Sequence, residues 1–179
     1  MIFTETKLKG AFSIELERQA DERGFFARTW CQREFAEHHL NTRWVQGNVS
    51  FNAKRGTLRG MHYQADPYGE SKLVRCTTGA VYDVIIDLRP ASPTFKQWLA
   101  VELTGENHRM IYIPAGFAHG AQTLTDNCEL FYQMGEFYQP DAARGVRWDD
   151  PAFGIEWPSA PPEGRIITPK DRAWPDFIG

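Results

Sequence analysis

The clearest strand in the sequence reads Ala80-Val81-Tyr82-Asp83-Val84-Ile85-Ile86-Asp87-Leu88. Arg89-Pro90 must end it, because proline has no backbone N–H to donate. Side chains alternate between the two faces of a strand, so the even-numbered residues share one apolar face. The opposite face mixes aliphatic residues with Asp83 and Asp87. We therefore expect that face either to meet solvent or to line a polar cavity.

Short strands separated by turns account for most of the remaining chain. Further strands are predicted at Lys72 to Cys76, Gln97 to Leu103, Arg109 to Ile113 and Glu129 to Met134. One helix is predicted from Gln32 to Leu40. The tail from Pro151 onward is rich in proline and tryptophan, and we expect it to wrap the strands as ordered coil. This pattern is typical of a β-sandwich or jelly-roll barrel.

Length and composition narrow the class of protein. A chain of 179 residues predicts one domain, spanning 1–179. The formal net charge of -3 argues against a nucleic-acid binder. No apolar run is long enough to cross a membrane, and no secretion signal precedes the first strands, so a cytoplasmic location is expected. Cys31, Cys76 and Cys128 are too few and too far apart for a disulfide framework or a zinc ribbon.

Two motifs each contain a histidine, and that of the first is suited to proton transfer near neutral pH. The first is Arg59-Gly60-Met61-His62-Tyr63-Gln64, and the second is Ile113-Pro114-Ala115-Gly116-Phe117-Ala118-His119-Gly120. The second resembles the Pro-x-Gly-x-x-His motif of the cupin superfamily. Metal-binding cupins carry His-x-His and a glutamate in the first motif, whereas this chain has a single histidine there. Because transition metals usually need three or four protein ligands, no metal site is predicted.

Taken together, these and other segments resemble the dTDP-4-dehydrorhamnose 3,5-epimerase family over nearly the whole chain. The matching segments are Glu22 to Phe26, Gln46 to Asn48, Leu58 to Gln64, Lys72 to Cys76, Asp83 to Arg89, Ser92 to Phe95, Ile113 to Gly120, Gly145 to Pro151 and Lys170-Asp171. The resemblance implies an all-β fold. It would be a cupin-type jelly-roll barrel (double-stranded β-helix) with one or two short helices and a C-terminal coil.

The resemblance also implies an enzyme that epimerises a nucleotide-linked 4-keto-6-deoxy sugar without a cofactor. The ketone acidifies the protons on C3 and C5. Inverting either carbon needs a base on one face, a cation for the enolate oxygen and an acid on the opposite face. By resemblance, His62 is the base and Asp171 its carboxylate partner. Lys72 is the cation, and Tyr132 is the acid.

Substrate-binding residues follow from the same resemblance. Arg23 and Arg59 suit the diphosphate, since guanidinium groups bind phosphate oxygens in pairs. Gln46, Asn48 and His119 are expected to line the pocket with polar groups. Tyr138 is a candidate to stack on the nucleobase, although it could equally be a core aromatic residue.

Five positions depart from the family pattern. Arg28 stands where the family usually has glutamate, Val49 where it often has histidine, and Ala143 where an acidic residue is usual. Gln133-Met134 replaces Lys-Thr. None of these changes touches the four residues assigned to catalysis. They leave open a CDP- or GDP-linked sugar and epimerisation at C3 or C5 alone.

Three other functions compete with this interpretation. They are a metal-dependent cupin isomerase or dioxygenase, a sugar-nucleotide 3,4-ketoisomerase, and a catalytically inactive sugar-binding module. The missing second imidazole argues against the first, and the intact catalytic set argues against the third. The resemblance further implies a homodimer in which N-terminal strands join the partner's sheet. No nucleic-acid or membrane partner is expected.

Overall fold

Thirteen strands and two short α-helices form the protein, as seen in a computed structural model that describes residues 1–179. The helices are α1 (Gln32–Glu37) and α2 (Pro169–Arg172), and a 3-10 turn covers Pro140–Ala142. The strands are β1 (Ile2–Glu5), β2 (Phe12–Glu15), β3 (Gln19–Asp21), β4 (Gly24–Phe26), β5 (Gln46–Asn52), β6 (Leu58–Gln64), β7 (Lys72–Thr78), β8 (Ala80–Asp87), β9 (Trp98–Thr104), β10 (Met110–Ile113), β11 (Phe117–Thr123), β12 (Cys128–Met134) and β13 (Ala143–Gly145).

Two antiparallel sheets enclose the core. One has six strands in the order β1-β2-β10-β7-β12-β5, and the other has five in the order β13-β6-β11-β8-β9. Strands β3 and β4 form a separate hairpin. Neighbours in each sheet are mostly distant in sequence, as in a jelly roll, where the chain crosses between sheets. The predicted all-β jelly-roll barrel is the fold observed.

Each strand named in the sequence analysis is present, with its ends shifted by no more than two residues. The predicted helix is shorter than expected, because α1 ends at Glu37. His39 has a φ of 58°, in the left-handed region, which stops the helical repeat. The backbone N–H of Leu40 then bonds back to the Phe35 carbonyl, and Leu40 is buried beyond the helix.

Strand β8 faces an apolar layer on both sides. Val81 and Ile85 belong to the core between the sheets, whereas Val84 and Ile86 pack under the C-terminal tail. Asp83 and Asp87 share the inner face and are 2% and 0% exposed. The mixed face therefore points into the barrel. The predicted solvent environment is therefore wrong. Of this face, Val81 lines a cavity described below, whereas Asp83 and Asp87 are internal but line neither of the two cavities of the site.

Asp87 is ionised in the interior because donors surround it. Its carboxylate accepts hydrogen bonds from Arg89, Ser92 and Thr94. Burial raises the pKa of Asp87, but these donors outweigh burial and bring the pKa down to about 2. The network fixes the connection between β8 and β9, and it takes no part in the site described below.

The outer faces of the sheets are covered by different parts of the chain. Helix α1 inserts Phe35 against Leu73, Met110 and Tyr112 of the six-stranded sheet. Val146, just after β13, and Phe153 of the tail cover the five-stranded sheet, where they pack on Met61, Val84, Ile86 and Ala118. Apart from α2, the tail is coil, as predicted. No helix has the length and apolar character needed to cross a bilayer.

Candidate active site

Two adjoining cavities, of about 260 Å³ and 550 Å³, lie between the sheets and share three side chains. Those three are His62, Lys72 and Tyr132. His62 comes from β6 of the five-stranded sheet, whereas Lys72 and Tyr132 come from β7 and β12 of the six-stranded sheet. A ligand between the sheets would therefore meet His62 on one side and the other two residues on the opposite side.

His62 and Asp171 lie 109 residues apart in the sequence, and their side chains are in hydrogen-bond contact. The distance from His62 Nε2 to the Asp171 carboxylate is 2.7 Å. Asp171 is buried, whereas the His62 side chain is 43% exposed and lines both cavities. Burial alone would raise the pKa of Asp171. The contact with His62 and the hydrogen bonds from the Gly60 N–H and Thr168 outweigh burial, so the pKa lies below its usual value. An ionised Asp171 fixes the ring orientation and stabilises an imidazolium.

Gly60 makes this pair sterically feasible. Its φ is +129°, and a Cβ built there would lie 2.5 Å from the Gly120 Cα on the neighbouring strand β11. Only glycine allows β6 to approach β11 so closely. The Gly60 N–H also faces the Asp171 carboxylate, at 3.4 Å. The glycine of the Arg-Gly-Met-His motif therefore helps to position Asp171, the partner of His62.

The C-terminal segment around α2 carries Asp171 to the site. Thr168 caps the helix by accepting from the Asp171 N–H. Trp174 then packs on Gly145, where a Cβ would lie 2.3 Å from the indole ring. Farther along, the Phe177 N–H donates to the buried Asp150 carboxylate at 2.6 Å. These contacts hold the segment against the five-stranded sheet.

Lys72 is almost fully buried and pairs with Glu70, a residue that sequence reasoning missed. The Lys72 Nζ lies 3.0 Å from Glu70 Oε1 and 3.5 Å from the His62 carbonyl oxygen. Glu70 lies two residues before Lys72, outside any motif quoted above. The only sequence signal for this ion pair was the presence of an acidic residue shortly before the strand that carries Lys72.

Tyr132 lines both cavities from β12. Burial raises the pKa of its hydroxyl above the usual value, Arg59 counteracts the rise, and Glu70 adds to it. A phenol with a raised pKa stays protonated at neutral pH. Tyr132 therefore carries a proton that it can donate to a ligand carbon in the cavity.

His119 belongs to a second histidine–carboxylate pair. Its Nε2 lies 2.9 Å from Asp83 on β8, and His119 stands directly opposite His62 in the β11–β6 register. The second oxygen of Asp83 is buried and has no hydrogen-bond partner. His119 lines the smaller cavity, as predicted for a polar lining residue.

The two arginines predicted for the diphosphate occupy different places. Arg59 lines the smaller cavity and is held by a 2.7 Å hydrogen bond to Asn52. Arg23 lies on the β3–β4 hairpin, where its side chain is 84% exposed and pairs with Asp21. Arg23 lines neither cavity. Within one chain, the structure brings Arg59 to the site but not Arg23.

The larger cavity contains the remaining predicted binding residues. Gln46, Asn48 and Tyr138 line it, and the Tyr138 N–H donates to Gln46 Oε1 at 2.6 Å. Tyr138 is 58% exposed, so it is not a core aromatic residue. Three of the residues that depart from the family pattern, Val49, Met134 and Ala143, line the same cavity, whereas Arg28 pairs with Glu34 elsewhere. Sequence reasoning gave no role to several other lining residues, among them Arg144, Lys170 and Trp174.

The donor set favours acid–base chemistry. No group of three or more His, Cys, Asp or Glu side chains is arranged to hold a metal ion. The cavities instead present an imidazole backed by a carboxylate, an ammonium group and a protonated phenol. This set can remove a proton from carbon, stabilise an enolate oxygen and return a proton from the other side.

Known proteins are similar to this chain over nearly its whole length. The family described as dTDP-4-dehydrorhamnose 3,5-epimerase matches residues 5–178. A dTDP-4-dehydrorhamnose 3,5-epimerase of Methanothermobacter thermautotrophicus is 45% identical over 173 residues, covering 96% of this chain and 92% of that protein.

Two crystal structures of epimerases superpose closely on the chain. The dTDP-4-dehydrorhamnose 3,5-epimerase of Bacillus anthracis, with TDP and PPi bound, has a TM-score of 0.93 and 39% identity, covering 98% of this chain and 99% of that one. The dTDP-6-deoxy-D-glucose-3,5-epimerase of Legionella pneumophila, in complex with dTDP-4-keto-L-rhamnose, has a TM-score of 0.89 and 37% identity, covering 97% and 90%. The chain therefore belongs to the dTDP-4-dehydrorhamnose 3,5-epimerase family.

Proposed function

We propose that the protein is an isomerase that inverts C3 and C5 of dTDP-4-dehydro-6-deoxy-D-glucose, giving dTDP-4-dehydro-L-rhamnose. Family membership supports the reaction, and the opposed placement of His62 and Tyr132 is the observation that carries the mechanism. The product is a precursor for nucleotide-sugar and cell-surface polysaccharide synthesis, including lipopolysaccharide. We propose a single epimerase domain over residues 1–179 and a cytoplasmic location. The three cysteines are free thiols, as is usual in a reducing compartment.

Each inversion proceeds through one enolate. His62 takes the proton from carbon and becomes an imidazolium, which the Asp171 carboxylate stabilises. The electron pair left on carbon moves into the C3–C4 or C4–C5 bond, and the ketone oxygen becomes an enolate beside Lys72. Tyr132 then delivers its proton to the same carbon from the opposite face. Solvent restores the protonation states of His62 and Tyr132 before the next inversion.

Heavy water tests the reaction directly. The purified protein is incubated in D₂O with dTDP-, CDP- and GDP-linked 4-keto-6-deoxy sugars, and the products are read by NMR. We expect deuterium at C3 and C5 of the dTDP sugar, with inversion at both carbons. Uptake at one carbon alone would identify a monoepimerase, and a ketone moved to C3 would identify a 3,4-ketoisomerase. No exchange with any of the sugars would overturn the proposed function.

We further propose a homodimer, in which the hairpin of one chain brings Arg23 to the diphosphate bound by the other. The hairpin exposes Phe25 and Phe26, and the edge strand β5 exposes Val49 and Phe51. Exposed apolar side chains and an unpaired strand edge both favour association. Arg23 itself is free of the cavities of its own chain.

Mixing two defective variants tests whether Arg23 acts across the dimer. Arg23→Ala and His62→Asn chains are each expected to have little activity alone. Unfolding and refolding them together should restore activity, because one site of a mixed dimer combines an intact His62 with the other chain's Arg23. The control mixes Arg23→Ala with wild-type chains treated in the same way. If the two defective variants do not complement each other although mixed dimers form, Arg23 does not act across the interface.

A further inference from the structure

Glu70 is the most unusual charged group in the cavity wall. Its side chain and that of Lys72 are 7% and 8% exposed, so the ion pair is almost fully removed from water. Glu70 Oε1 contacts the ammonium, whereas Oε2 is buried and accepts no hydrogen bond. Glu70 also lines the larger cavity together with His62 and Tyr132.

Such an arrangement is poorly suited to a purely structural role. Moving a carboxylate out of water costs several kcal/mol unless both oxygens find donors, and a buried ion pair often adds no net stability. In Glu70, the Oε2 oxygen has no hydrogen-bond donor. Unsatisfied buried polar groups of this kind concentrate where a fold serves a ligand or a reaction. The carboxylate contacts Lys72 directly and shares the wall of the larger cavity with Tyr132.

We propose that Glu70 is a positioning residue of the reaction. It holds the Lys72 ammonium where the ketone oxygen binds. This inference rests on the proposed function, because it assigns Glu70 a role in forming the same enolate.

The contacts of Lys72 explain how the positioning works. An ammonium group has three N–H donors. One bonds to Glu70 Oε1 at 3.0 Å, and a second faces the His62 carbonyl at 3.5 Å. These two anchors limit rotation of the ammonium and leave the third donor for a ligand. Since Lys72 lines both cavities, the ammonium is available where they meet.

The effect on Tyr132 is electrostatic. Glu70 and burial both raise the pKa of the Tyr132 hydroxyl, against the opposing effect of Arg59. The remaining ionisable groups that line the two cavities with Tyr132 are Asp171, His62, His119, Lys72, Lys170, Arg144, Tyr63 and Tyr138. Without the negative charge of Glu70, the nearby positive groups favour the phenolate more strongly, so the pKa of Tyr132 should fall.

The test compares Glu70→Gln with wild type in the D₂O assay. Glutamine keeps the shape of the side chain and removes its charge. We expect kcat to fall about tenfold with KM within about twofold, because the loss is confined to the transition state. The high-pH limb of the kcat profile should also move toward lower pH, since the acid must be protonated. Glu129→Gln is the control, a charge removal on β12 away from both cavities.

A double-mutant cycle with Lys72→Met shows whether Glu70 acts through Lys72. We expect Glu70→Gln to have at most a small further effect once the ammonium is gone. An equal loss in both backgrounds, or a wild-type kcat for Glu70→Gln, would overturn the inference. Should Glu70→Gln fail to fold, Glu70→Asp enters the same cycle and is read by the same rule. Wild-type protein that exchanges no deuterium would instead contradict the proposed function.

Discussion

Replacement of His62 by asparagine is expected to abolish solvent deuterium uptake at C3 and C5 of dTDP-4-dehydro-6-deoxy-D-glucose. Asparagine fits the space and can still bond to Asp171, but it has no basic nitrogen to accept a proton from carbon. General-base catalysis by a positioned side chain contributes about 10²–10⁴-fold, so exchange should fall by about 10³-fold or more. NMR of the recovered sugar in D₂O measures the remaining rate.

The matching control for this variant is His39→Asn. His39 is exposed at the end of α1 with a φ of 58°, a conformation that asparagine adopts readily. Its exchange rate should equal that of wild type. Full exchange by His62→Asn would transfer the role of base to another group, and His119 with its partner Asp83 would be the first to examine.

Replacement of Tyr132 by phenylalanine should separate proton removal from inversion. Phenylalanine keeps the ring that lines both cavities but loses the hydroxyl. His62 and Lys72 remain, so enolate formation and deuterium uptake should persist at one or both carbons. Net inversion should drop by about 10²-fold or more, because reprotonation from the opposite face has lost its acid.

Two measurements on one sample distinguish these events. Deuterium content reports proton removal, and coupling constants around the ring report configuration. Tyr68→Phe, at an exposed tyrosine in the loop before β7, should leave both unchanged. If Tyr132→Phe forms product at the wild-type rate, Tyr132 is not the acid.

The strands were largely readable from the sequence, because their alternation and the turns between them are local properties. The environment of the two faces of β8 could not be predicted in the same way. An alternating face with Asp83 and Asp87 looks the same whether it meets water or other polar groups. Only the tertiary contacts, with His119 across the sheet and with Arg89 beyond the strand end, show that both carboxylates are internal.

The parts of the site that could be predicted are the residues that belong to recognisable motifs. His62, Lys72, Tyr132 and Asp171 lie together as the resemblance implied, although they come from four separate elements. Glu70 escaped notice because a single acidic residue in a loop has no periodicity or motif to distinguish it. Arg23, which the resemblance placed at the diphosphate, lines neither cavity of its own chain, and in the proposed homodimer it would reach the site of the other chain.

The position of Asp171 on a short helix at the edge of the barrel has a consequence for thermal behaviour. The dyad joins a sheet strand to a short terminal segment whose contacts include the Trp174–Gly145 packing, the Phe177–Phe153 packing and the Phe177–Asp150 hydrogen bond. Such a segment can detach by local opening at a free energy well below that of global unfolding. On heating, hydrogen exchange in 168–177 should therefore accelerate first, and catalysis should stop while the barrel is still folded.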